Sequence, residues 1–230
     1  MKGSIADLVG IFSSPAATIA RAMESKRWKA ALAVILLVTA LVTYLTYPIT
    51  KAEQAKLIRD SQMAERLSDE QLDALGSFTP FQRASGSLFA ALFAALALLL
   101  GASFVYLFYK VGGAEGLFAH FFAGVATASL LDMALGGLLK GLLVLGRKTI
   151  LVHTGLTLFF PGLDFRSLPY LTLAQFDFFA LWYLAALALG IAAFSRMSVK
   201  KSLVIAVFYF LFKSLILVSL SYFTMKLTGM

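Results

Sequence analysis

Five apolar runs, near residues 29–49, 86–110, 116–145, 176–195 and 201–225, dominate the chain. Each approaches or exceeds the roughly 20 residues that an α-helix needs to cross a bilayer. No other feature constrains the fold so strongly, because hydrocarbon offers no hydrogen bonds and a spanning segment must satisfy its own backbone. The expected fold class is all-α, a polytopic five-transmembrane-helix bundle. Charged residues make up 14% of the chain, against about 25% in ordinary soluble domains, and the mean hydropathy is +0.86. The formal charge of +8 does not indicate nucleic acid, since no basic, aromatic-interleaved patch is present. The basic residues instead flank the apolar runs, at headgroup positions. With no cysteine in the chain, disulfides, thiolate metal sites and Cys nucleophiles are excluded.

The polar segments divide the rest. Residues 1–28 are expected to form a cytoplasmic amphipathic segment and residues 29–230 the membrane domain. Ile5, Leu8, Val9 and Phe12 recur at helical spacing. Ser14 and Pro15 then look like an N-cap and N1 proline opening a short helix through Met23. This region suits either a helix lying on the membrane surface or one packed on the protein's own cytoplasmic face. It has no signal-peptide pattern. Residues 51–76 are charged and helix-prone, and Ser68 with Gln71 resembles a capping box, so an extramembrane helical hairpin is expected there. The segment holding Phe160-Pro161-Gly162 and Leu168-Pro169 is too apolar for a free loop and should dip into the interface or pack across helix ends. No internal repeat supports an inverted-repeat transporter.

Orientation follows Lys and Arg near the helix ends. Arg21, Lys26, Arg27 and Lys29 precede the first run, and Arg196, Lys200 and Lys201 fill the turn between the fourth and fifth. Five spans put both sets on one side, giving an N-terminus inside and a C-terminus outside. Lys26-Arg27-Trp28-Lys29 has the composition of a headgroup anchor.

Catalytic machinery is not expected. His120 and His153 are isolated, and no HExxH, paired-Glu or GxSxG arrangement occurs, so no catalytic, metal or cofactor-binding residues are assigned. The residues that ask for an explanation are Asp132 and Lys140 in the third run and Lys213 in the fifth. His120, Gly124, Ala128, Asp132, Gly136 and Lys140 follow at spacing four, and Gly137 with Gly141 adds a GxxxG. Gly124, Gly136, Gly137 and Gly141 are therefore candidate close-packing positions. An unpaired charge at the bilayer centre costs about 2.5–3.5 kcal/mol even on the lenient scale. Depth along the helices pairs Asp132 with Lys213 and Lys140 with Asp177, which opens the fourth run. The pairs suit a structural clamp between the third, fourth and fifth helices, or an ion or proton path.

The stretch from Gln175 to Val207 resembles the core signature of the Yip family of polytopic membrane proteins, through Asp177, Phe179, Trp182, Gly190, Lys200 and Lys201. The N-terminal IFSSPAATI is similar to that family's Phe-x-x-Pro lead. The resemblance implies five spans, a C-terminus outside and a prokaryotic protein of the cytoplasmic membrane. Eukaryotic relatives are linked to Rab-type GTPases, but their longer polar N-terminal region and early Gly- and Pro-containing signature are missing here, which counts against a GTPase partner. The expected function is a non-enzymatic scaffold or adaptor that organises partner proteins, further copies of itself or lipids in the bilayer. The alternative is a small permease or lipid-handling transporter using Asp132 and Lys213.

Overall fold

The computed structural model describes residues 2–61 and 64–228. Two short helices, α1 (Lys2–Ser13) and α2 (Pro15–Glu24), precede the first span, α3 (Lys29–Arg59). A short helix α4 (Asp69–Ala74) leads to α5 (Pro80–Val111). The third span is built from α6 (Phe118–Ser129), a π-helical segment (Leu130–Gly136) and α7 (Gly137–Arg147). After α8 (Leu168–Leu173) come α9 (Phe178–Ser195) and α10 (Val199–Thr228), the fourth and fifth spans. Five helices are long and apolar enough to cross a membrane. The chain is a multi-pass α-helical membrane protein.

Several boundaries differ from the sequence expectation for identifiable reasons. The first span does not stop at 49 but continues through Pro48 to Arg59. Proline removes the N–H that Tyr44, four residues earlier, would receive. Arg83 of α5 supplies the replacement, its Nε donating to the Tyr44 carbonyl at 2.7 Å. The guanidinium also lies 3.9 Å from the centroid of the Tyr44 ring. The expected hairpin is thus the end of α3 turned against α4, tied by Arg59 donating to Leu72 O at 2.9 Å. Its Ser68–Gln71 capping box is reciprocal, at 3.0 and 3.3 Å. The second span starts at Pro80, not 86, because Thr79 and Gln82 form another capping box at 2.8 and 3.1 Å.

The third span is the hub, touching α2, α3, α5 and α9, and Phe121, Val125 and Leu131 are buried in it. The segment around 5–23 was open to two placements, and α2 packs on the bundle. It is wedged between α6 and α9, with Ile19 and Met23 fully buried. Two glycines make the room. A Cβ on Gly124 would stand 2.8 Å from Met23 Cγ, and one on Gly190 would stand 2.5 Å from Ile19 Cβ. Helix α1 lies against α2 and α3, with Ile11 buried and Val9 and Phe12 left exposed. The Ile5 side chain lies outside the described residues, as does Met230.

Candidate functional site

At the N-terminal end of α9, Asp177 is the N-cap. Its Oδ1 accepts from Phe179 N at 3.0 Å and Ala180 N at 3.3 Å, satisfying donors that a helix start leaves open. The Thr154 hydroxyl donates to its Oδ2. Gly155 forms an isolated antiparallel bridge with Asp177, at a spot where a Cβ would lie 2.7 Å from the Asp177 Cα. The loop from Lys148 is thereby folded over the bundle end, with Leu158, Phe159 and Phe160 exposed. Nearby, Tyr170 Oη is 3.4 Å from His153 Nδ1, and partial burial raises the phenol above its usual pKa.

Lys140 binds this cap. Its Nζ is 3.2 Å from Asp177 Oδ1 and 4.0 Å from Asp132 Oδ1. One ammonium therefore serves both carboxylates. The expected direct Asp132–Lys213 contact is not made: among the described residues, the ion pair to Asp132 comes from Lys140. The reason is local geometry. Asp132 sits in the π-helical segment, which carries an i→i+5 hydrogen-bond pattern, so the spacing-four ridge inferred for a regular helix does not run through it.

Asp132 and Lys213 meet instead across a recess of about 370 Å³ between α5, the third span, α9 and α10. Its deep wall includes Ser129, Tyr183 and Tyr209, all buried, and its rim includes Leu100, Phe104 and Ile216, all exposed. The recess is therefore open sideways toward lipid. Toward the Val199 end of α10, aromatic contacts and hydrogen bonds link α5, α9 and α10. Ring contacts join Phe104 and Phe108 to Phe212 at 5.5 and 5.4 Å. Beyond them, Tyr109 Oη donates to Ser202 O at 2.9 Å and Ser202 Oγ to Ala188 O at 2.6 Å. Lys213 makes no ion pair within 4.0 Å among the described residues.

The glycine candidates separate. Gly124 faces Met23, Gly136 faces Phe179 at 2.8 Å, and Gly141 faces Val42 at 2.7 Å, but a Cβ on Gly137 would meet nothing within 4 Å. Gly137 is not a close-packing position. Of the signature residues, Phe179 is buried under Gly136, Trp182 packs against the core, Gly190 receives Ile19, and Lys200 and Lys201 are exposed in the first turn of α10. His120 accepts from Leu117 N at 2.8 Å through Nδ1, which makes it a cap for the third span.

Sequence reasoning missed Asp7. Its carboxylate is 6% exposed and takes Arg27 through two contacts, at 2.8 and 3.3 Å, with Arg21 at 3.9 Å. Arg27 is thus an internal partner rather than a headgroup anchor. The signal was a single acid in an otherwise apolar short helix. The Tyr183 and Tyr209 hydroxyls gave no such signal, since aromatics in a span ordinarily read as packing.

These features define a polytopic membrane protein with a charged intramembrane cluster beside a lateral recess. A family model for the Yip1 domain matches residues 9–221. The chain belongs to the Yip1-domain family. Searches of curated proteins and of solved structures give no match.

Proposed function

We propose that the protein is a non-enzymatic adaptor of Yip type, set in the cytoplasmic membrane of a prokaryote, which holds a partner protein at the recess between α5 and α10. In this reading residues 1–28 and the Ser195–Lys201 turn are cytoplasmic, and the 51–76 hairpin and C-terminus are outside. The observation that carries it is the recess itself. A purely structural clamp would close over its charges, whereas Lys213 stays without an ion pair beside an opening to the bilayer. Intramembrane ionisable groups in that condition default to functional use. The hydrogen bonds that tie Tyr109, Ser202 and Ala188 together between the recess and the Val199 end of α10 argue against a path across the membrane.

Photo-crosslinking residues at Leu100 and Ile216, on the recess rim, test the reading in native membranes. A discrete protein adduct from both sites, absent when the crosslinker is moved to Phe93 or Leu220, supports the adaptor. Adducts of lipid mass alone support the lipid-handling reading, which the apolar rim favours. Orientation is checked with single cysteines in this cysteine-free chain. A cysteine at residue 60 should react with an impermeant thiol reagent before the membrane is opened, and one at Ser198 only afterwards.

A further inference from the structure

The recess carries chemical information about what fills it. Lys213 lies roughly 20 Å along α10 from Val199, and Asp132 roughly 20 Å along the third span from Phe118, at 1.5 Å per residue. Both helices start on the same side, and Lys200 and Lys201 sit in the first turn of α10. Against a hydrocarbon thickness of about 30 Å, Lys213 lies near mid-depth when counted from Lys200 and Lys201, whereas Asp132 lies nearer the Asp177 end of α9, to which Lys140 ties it. A lipid headgroup would have to leave its interface to reach Lys213. A transmembrane helix presents side chains at that depth with its own backbone already satisfied.

The charge distribution narrows the choice further. Asp132 shares Lys140 with Asp177, so these three groups keep one net negative charge, and Lys213 faces them across the recess without an ion-pair contact. Lys213 has no ion-pair partner there among the described residues. Around it the walls are apolar and aromatic, with Phe104, Phe212 and Ile216 at the mouth and Tyr183 and Tyr209 at the back. The volume of about 370 Å³ admits side chains from one face of a helix rather than a whole helix, in the range of ordinary binding pockets.

We infer that the recess receives a transmembrane helix of a partner protein carrying a carboxylate near mid-span, and that Lys213 is the residue that recognises it. The inference rests on the adaptor reading and adds the chemistry of the partner. The Lys213 ammonium meets the carboxylate, each removing the other's cost of lying in hydrocarbon, while flanking apolar side chains of the partner cover the rim. Asp132 and Lys140 hold the opposite wall and do not take part in the contact.

The test uses the full chain in phosphatidylcholine liposomes and lysine-flanked Leu/Ala host peptides long enough to span. One peptide has Glu at mid-span, one Gln, one Leu, and one Glu moved to the interface. Energy transfer from a dye on the outer hairpin to a dye on the peptide reports association. The mid-span Glu peptide should bind about tenfold more tightly than the Leu peptide, in line with the strength of polar contacts between membrane helices. Lys213→Arg should keep that preference, Lys213→Met should reduce it to about twofold or less, and Asp132→Asn should leave it in place. A Glu peptide that binds no better than the Leu or Gln peptide overturns the inference. So does a preference that survives Lys213→Met, or one shared by interfacial Glu. Abolition of the preference by phosphatidylglycerol, with the Leu peptide unaffected, assigns Lys213 to lipid anions and equally overturns it. Loss of the peptide preference with rim crosslinks to protein intact removes the carboxylate alone; loss of both removes the adaptor reading as well.

Discussion

The seam around α2 and the recess between α5 and α10 solve opposite problems with similar materials. In the seam, Gly124 and Gly190 let Met23 and Ile19 approach the helix backbones, and Asp7 is held by Arg27 at 2.8 Å. In the recess the one lining glycine, Gly101, permits no such approach, a Cβ there meeting the Tyr209 hydroxyl at an ordinary 3.6 Å, and Lys213 makes no ion pair within 4.0 Å among the described residues. Closure of that kind secures the fold. An open site keeps interaction energy in reserve for something that arrives later. The difference teaches that charge inside this bundle does not have one meaning; what surrounds it decides.

Four substitutions probe that contrast, each read by unfolding of the detergent-purified protein. The largest effect is expected for Arg27→Met, which leaves the buried Asp7 carboxylate only the more distant Arg21 guanidinium at 3.9 Å. Breaking a buried pair on one side costs about 3–5 kcal/mol, and the partial exposure of Arg27 puts the loss near the low end, about 3 kcal/mol. An unchanged stability would mean that Asp7 is satisfied without Arg27, and the seam is not locked by charge. Next comes Gly190→Val, where a side chain must displace Ile19. Overpacking of this type costs about 1–3 kcal/mol, and adding Ile19→Ala to the same protein should recover part of it. Failure of the second change to help would move the strain away from α2.

Gly137→Ala should act in the other direction. Nothing lies within 4 Å of the added methyl, so the change gains helix propensity, about 0.5–1 kcal/mol in a soluble helix and no more than that here. A clear loss would restore Gly137 as a packing position. No loss of stability is expected for Lys213→Met, since a charge without an ion pair is costly at mid-membrane and Asp132 keeps Lys140 when Lys213 is removed. A loss comparable to that of Arg27→Met would make Lys213 a second structural clamp and erase the contrast between the two regions.

Much of this was legible beforehand because hydrophobic length and capping chemistry are local. The five spans follow from run length, and Ser68 with Gln71 announces its helix start. Asp177 shows its place before α9 in the same way. What could not be read depends on distant residues. Pro48 normally marks the end of a helix, and only the donor from Arg83, far along the chain, allows α3 to continue. Gly124 and Gly190 were visible as small residues, but their common occupant, α2, could be named only from the packed bundle. The partner of Asp132 was misassigned because depth along ideal helices ignores the π-helical segment, which a sequence does not display.

The bond from Arg83 to the Tyr44 carbonyl also carries a temporal consequence. Arg83 is synthesised after Pro48, so when the first span leaves the ribosome the carbonyl opened by that proline has no donor from α5. The nascent helix is incomplete at that level until the beginning of the second span arrives. Only then does the first hairpin gain its hydrogen bond, and the cation brought by Arg83 settles over the Tyr44 ring at the same step. The opening pair of helices is thus finished as a unit during biogenesis rather than one helix at a time.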